Sequence, residues 1–310
     1  MDGLQGSARE HVQILNPDDG FHYFFGYYDL RAASTDGKHL CHRVKFMDRL
    51  PGAQEEAELG WLDKGEFHPF AMTTAWNFQQ GAMLQYHPVL ADTVYYNVCE
   101  GGRFQTVTHN YRTGEKQYAD RASACISPDG KWGLGINFGR IFAFRPGYGY
   151  AGFADPYAEV NAPEEDGVFL VDLRRGTSRL LLSYAQLAPL GGFTAEDKVL
   201  VNHITFNPAS DSFILLLRNF PKEGGSWSTS LLWSDLDGNV RPILKNTYFS
   251  HYDWVADDAL IAHCTVEANK KSMYRINTAH CTWEELDMPY FHEEGNRDIH
   301  CRQSPDMSAT

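Results

Sequence analysis

Three histidines recur at nearly constant spacing in the C-terminal part of this 310-residue chain: His203 in "VNHITFNP", His251 in "SHYDW" and His300 in "DIHCRQSPD", separated by 48 and 49 residues. Imidazole changes charge near neutral pH, and its neutral form serves as a general base or as a metal ligand. If the chain repeats with that period, equivalent positions converge and the three rings share one site. Taken singly, each could equally hydrogen-bond neighbouring backbone. Arg218, closing "FILLLRNF" just after His203, is a candidate clamp for a carboxylate, or else a channel salt bridge. In "TTAWNFQQGAMLQYHP" (73–88), Trp76, Gln79, Gln80 and Gln85 combine an aromatic face with amides, which suits a sugar ring and its hydroxyls. The same residues suit an aromatic core whose glutamines satisfy strand ends.

The elements that must position these groups are short and β-rich. "TVYYNV" (93–98), "GVFLVDL" (167–173), "SFILLLRNF" (212–220), "SLLWSDL" (230–236) and "ALIAHCTV" (259–266) are dense in β-branched, aromatic and leucine residues. One class of turn precedes such strands: "STDGKH" at 34, "YHPVLADT" at 86, "ISPDGKW" at 126, "FNPASDSF" at 206, "WVADDAL" at 254 and "QSPDM" at 303. A second class, "YRTGEK" at 111, "LRRGTS" at 173 and "LDGNVR" at 236, alternates with it. Two alternating turn classes imply antiparallel four-stranded units. Their period of roughly 40 to 50 residues is that of a β-propeller blade. The gap from 127 to 208 predicts one blade carrying an excursion across a face. The expectation is an all-β, single-domain propeller over 1–310, with about five complete blades, a partial sixth beginning at 298–306, and an incomplete C-terminus.

The net charge of −13 argues against nucleic acid or an anionic membrane as partner and leaves room only for a local basic pocket that grips an acidic ligand. The N-terminus "MDGLQGSAREHVQIL" reads as neither signal peptide nor membrane span, so the cytoplasm is the expected compartment. Six dispersed cysteines without a CxxC pair read as free thiols. "GYGYAG" (147–152) is a flap or packed loop rather than a phosphate loop, and no Gly-x-Ser-x-Gly is present. Most remaining histidines, among them His22, His39, His42, His68 and His292, lack the register of the three.

"VNHITFNP", "SHYDW" and "IHCRQSPD", in that order and one blade apart, resemble the oligogalacturonate lyases, polysaccharide lyase family 22, built on a seven-bladed propeller related to the TolB type. The resemblance covers roughly 200 to 306 and reaches the earlier blades only through the turn pattern. It implies a Brønsted base at His203 and a manganese ligand at His251, acting on a uronate-containing oligosaccharide of the kind derived from pectin. The family's remaining ligands lie in a Gln-x-x-His-x-His stretch that this sequence lacks. His300 and Gln303 are the substitutes at hand, with Asp253 as a source of charge, although imidazole and amide alone suit a hard cation poorly.

The chemistry implied is β-elimination from a 4-linked uronate. His203 removes the C5 proton, the His251 pole or Arg218 neutralises the carboxylate, and Tyr252 or Tyr28 serves as acid in a metal-free form. Two other classes remain open: a non-catalytic carbohydrate-binding or interaction propeller, and a glycoside hydrolase, which needs two inward carboxylates drawn from Asp29, Asp48 and Asp253.

Overall fold

The computed structural model describes residues 14–223, 225–266, 271–287 and 300–302. Its strands form five sheets, each of four antiparallel strands in sequence order. The first contains β1 (His22–Phe24), β2 (His39–Val44), β3 (Ala57–Asp63) and β4 (Glu66–Thr73), and the second β5 (Gln85–Tyr86), β6 (Thr93–Glu100), β7 (Arg103–Asn110) and β8 (Lys116–Tyr118). The third is β9 (Ser123–Ile126), β10 (Trp132–Gly135), β11 (Gly167–Asp172) and β12 (Thr177–Ser183). Helix α1 (Phe138–Phe144) lies between β10 and β11, and α2 (Tyr184–Leu190) follows β12. The fourth is β13 (Val199–Phe206), β14 (Ser212–Asn219), β15 (Thr229–Asp235) and β16 (Val240–Thr247), and the fifth β17 (Phe249–Ala256), β18 (Ala259–Thr265), β19 (Lys271–Asn277) and β20 (Thr282–Glu285). Consecutive four-stranded meanders packed face to face are the blades of a β-propeller. The partial sixth blade expected at 298–306 lies outside the described residues except for 300–302.

The middle strands explain why the apolar runs were legible. In β14, Phe213, Leu215 and Leu217 face the core shared with the third blade, while Ile214 and Leu216 face the core shared with the fifth. A strand buried on both faces reads as an unbroken apolar run rather than an alternation. The two turn classes are equally ordered. Those of the first class, from "STDGKH" to "WVADDAL", join strands one and two of each blade, and those of the second join strands three and four. All lie at one end of the molecule. The other end carries the joins between strands two and three and between one blade and the next.

The predicted excursion is the segment 136–166 between β10 and β11. It is anchored by Arg140, whose side chain is fully buried. Its Nη1 pairs with Asp155 Oδ2 at 2.9 Å, Nε donates to Val199 O at 2.7 Å, and Nη2 donates to Val160 O and Asn161 O at 2.9 and 2.7 Å. A buried guanidinium is tolerable only when its donors are met in this way. "GYGYAG" is a packed loop: Tyr150 is buried and stacks on Phe138 at 4.2 Å between centroids. Gly149 is required there, since a Cβ would sit 2.1 Å from Phe138 O.

Arg140→Met should destabilise the protein by about 3–5 kcal/mol, because Asp155 is left buried without its cation. The urea midpoint measures this, and Arg140→Met with Asp155→Leu should recover part of the loss. A single variant as stable as the parent would remove the anchoring role.

Candidate functional site

His203 and His251 sit on the first strands of consecutive blades, β13 and β17, and each lies at a β-bulge. In β13, Val201 pairs with Leu217 and His203 with Leu216, so Asn202 is the extra residue. In β17 the register shifts between Phe249, opposite Cys264, and Tyr252, opposite Ala262, so Ser250 and His251 together stand against one partner residue. Bulges re-aim side chains. Here both rings turn into one cavity of about 720 Å3, which His300 also lines.

The rings are close. The His251 and His300 centroids are 3.8 Å apart, and Tyr27, from the segment joining β1 to β2, lies 4.9 Å from His203 and 6.3 Å from His300. Arg218, at the end of β14, ties the site together: Nη1 donates to Asn202 Oδ1 at 2.5 Å, Nε to Thr229 Oγ1 at 3.1 Å and Nη2 to Phe249 O at 3.2 Å.

This arrangement determines the His203 tautomer. Arginine offers only donors, so the Asn202 atom facing it is the oxygen. That oxygen is also 3.0 Å from His203 Nδ1, which must therefore carry the proton. Nε2 is left with its lone pair, and it is buried with no hydrogen-bond partner among the described residues. Burial first, then the charges of Arg218, His251 and His300, pull the His203 pKa down to about 3. Its ring is neutral at every physiological pH.

The cavity lining is as informative as its centre. Beside Arg218 and the three histidines stand Arg145, Tyr148, Trp227 and Tyr248, with Gln79, Asn246 and several hydroxyls; among the described residues none that lines it is Asp or Glu. A chain with a net charge of −13 thus gathers two arginines and three histidines at one place. Such a cavity attracts anions.

Of the other sequence candidates, Gln79 lines the cavity and Tyr28 sets its ring 5.2 Å from that of His300, while the rest fall elsewhere. Trp76 is only 1% exposed; its Nε1 donates to Glu55 O at 2.7 Å and its faces pack among Phe24, Phe46 and Phe78, so no sugar can stack on it. Gln80 and Gln85 are buried outside the cavity, and of the three glutamines Gln79 alone lines it. Tyr252 belongs to the core between the fourth and fifth blades. Trp254 Nε1 donates to Thr205 Oγ1, which donates to the Tyr252 hydroxyl at 3.2 Å. That hydroxyl does not reach the cavity, and burial raises its pKa further. Tyr28 donates its hydroxyl to Tyr252 O at 2.9 Å and lines a different cavity at the turn-bearing end. Asp29, Asp48 and Asp253 do not line the histidine cavity, so the carboxylate pair of a glycoside hydrolase is not assembled there. Gln303 lies outside the described residues.

Among the described residues the manganese ligand set is not assembled. His251 and His300 have their rings in contact, two guanidiniums line the cavity with them, and no described carboxylate lines it. A hard dication requires anionic oxygen ligands. Among the described residues no three of His, Cys, Asp or Glu are grouped to hold a metal ion.

Arg145, Tyr148 and Trp227 were missed by sequence reasoning. The first two lie in the excursion, where the turn pattern marks a crossing of one face but no site residue. The third stands in the Gly- and Ser-rich stretch "EGGSWST", where an isolated tryptophan was the available signal.

With its five four-stranded blades, the chain is a β-propeller protein. No family model matches it, and no curated protein does. Among solved structures it is similar to TolB from Acinetobacter baumannii, with 13% identity over 85% of this chain and 53% of that one and a TM-score of 0.42. It is also similar to a puromycin hydrolase S511A mutant complexed with PGG, at 13% identity over 89% and 41% of the two chains with a TM-score of 0.47. The Kuenenia stuttgartiensis hydrazine synthase gives 12% identity over 81% and 64%, with a TM-score of 0.45. The chain spans about half the length of that TolB. None of its described helices is long and apolar enough to cross a membrane.

The depressed basicity of buried histidine has a thermodynamic signature. His203 and His42, the latter held between Phe24 O and Ala82 N, have pKa values near 3 and 4 in the folded chain. Between about pH 6.5, where histidine titrates in the unfolded chain, and those values, the unfolded chain binds protons that the folded one excludes. Stability should therefore fall as pH is lowered from 6.5, and His203→Gln should reduce the slope by about 1.4 kcal/mol per pH unit. Urea unfolding at a series of pH values measures it; an unchanged slope in the variant would contradict the assignment.

Proposed function

We propose that this propeller is a lyase-like carbohydrate-active protein that cleaves a 4-linked uronate oligosaccharide by β-elimination. The observation carrying the reading is the Nε2 lone pair of His203, without a partner among the described residues and aligned by Asn202 in a cavity lined by two arginines.

The sugar carboxylate enters against Arg218, whose charge makes the C5 proton removable by stabilising the enolate-like species that develops. His203 Nε2 takes that proton, the released electron pair forms the C4–C5 double bond, and the C4–O bond breaks. The departing oxygen takes a proton from water. Without substrate His203 is a weak base because burial, and after it the charges of Arg218, His251 and His300, disfavour its protonated form. An arriving carboxylate offsets part of the Arg218 field and raises its basicity. Charge neutralisation by arginine needs no metal ligand set. The second reading is a carbohydrate-binding propeller without catalysis, favoured by the same cationic lining if His203 remains too weakly basic in the complex.

Incubation with oligogalacturonate, followed by ultraviolet absorbance of the unsaturated product, separates the two. Elimination should persist with chelator present, and His203→Ala should lower kcat by about 10²–10⁴-fold with KM nearly unchanged. Arg218→Met should raise KM and lower kcat together. Because His203 has its pKa near 3, kcat/KM should show no acid limb around pH 6.5. Uronide binding without elimination at any pH would select the binding reading.

A further inference from the structure

The excursion of the third blade brings to the cavity a cation that the elimination chemistry does not use. Arg145 is the first residue after α1, where its backbone N–H donates to Ile141 O at 2.9 Å and its side chain stands exposed. Its guanidinium carbon lies 4.5 Å from the ring centroid of Tyr148 and 5.9 Å from that of Trp227. Among the described residues that guanidinium makes no ion pair and no hydrogen bond. Trp227 is 42% exposed and is steadied by the edge of Phe144, with 5.5 Å between ring centroids.

Arg218 is also 5.9 Å from the Trp227 centroid. One exposed indole is therefore flanked by two cations, which can be no further apart than twice that distance. Only Arg218 is engaged with Asn202 and the fifth blade. An indole face takes the apolar face of a pyranose ring, and a guanidinium stacked on aromatic rings keeps its edge donors for a carboxylate. Both features occur together on the lining of the cavity that His203 faces.

We propose that Arg145 and Trp227 form a second subsite, in which the indole stacks on the neighbouring sugar ring and Arg145 holds that ring's carboxylate, while Arg218 and His203 engage the first ring. The proposal rests on the acidic-sugar reading of the cavity. It assigns to the 136–166 excursion a role in recognition, through Arg145 as a specificity residue rather than a catalytic one.

Calorimetric titration of the full chain with galacturonic acid, trigalacturonate and the neutral cellotriose tests it. Trigalacturonate should bind about tenfold more tightly than galacturonic acid, and cellotriose more weakly than trigalacturonate. Arg145→Met should remove most of that tenfold preference while leaving galacturonic acid within about twofold of the parent. Trp227→Ala should weaken trigalacturonate and cellotriose together and spare galacturonic acid. Arg145 is exposed, so its variants should melt as the parent does; Arg145→Glu, reversing the charge, should weaken trigalacturonate further than Arg145→Met. If Arg145→Met leaves trigalacturonate unchanged, or weakens both uronides equally, the second subsite is overturned while the acidic-sugar reading stands. If the parent protein binds neither uronide, both fall.

Discussion

The hydrogen bonding of one buried cation, Arg218, organises the candidate site. A guanidinium cannot shed its charge in a protein and must find acceptors wherever it is buried. Arg218 finds them on three strands: Asn202 on β13, Thr229 on β15 and the backbone of Phe249 on β17. It therefore links the fourth blade to the fifth where their first strands bulge. Through Asn202 it also dictates which nitrogen of His203 carries the proton.

Bulges and cation depend on each other. Without the extra residue in β13, Asn202 and His203 would occupy regular alternating positions, and a one-residue slip would send each to the other face. The strand pairing that the bulge interrupts is recovered by side-chain hydrogen bonds instead. Arg140 is the instructive contrast, since its buried guanidinium is closed off by Asp155 and backbone carbonyls and serves only to fasten the excursion. Arg218 lines the cavity, and after burial its charge is the next cause that depresses the neighbouring imidazole.

Charge segregation follows from the same economy of elements. The turn-bearing end carries Asp, Asn and Gly because tight turns need them. The opposite end includes the long connections 136–166 and 220–228, which are under no such constraint and carry Arg145 and Trp227. The acidic turns and the arginine-lined cavity are thus placed at the two ends of the blades.

The sequence by itself determined the blades. Apolar runs such as "FILLL" belong to strands buried on both faces, and the paired turn classes are local motifs whose chemistry needs no partner from elsewhere. It also determined that His203, His251 and His300 repeat with the blade, and the three do line one cavity. Tertiary structure alone decided the rest. Trp76 and Tyr252 carry the same chemistry as residues that line a cavity, yet packing against adjacent blades removes both from it. Trp227 and Arg145, from different blades, gain meaning only because the excursion folds back against the fourth blade. Which nitrogen of His203 is basic depends on a bulge and on an arginine fifteen residues further along the chain, and no local pattern encodes that contact.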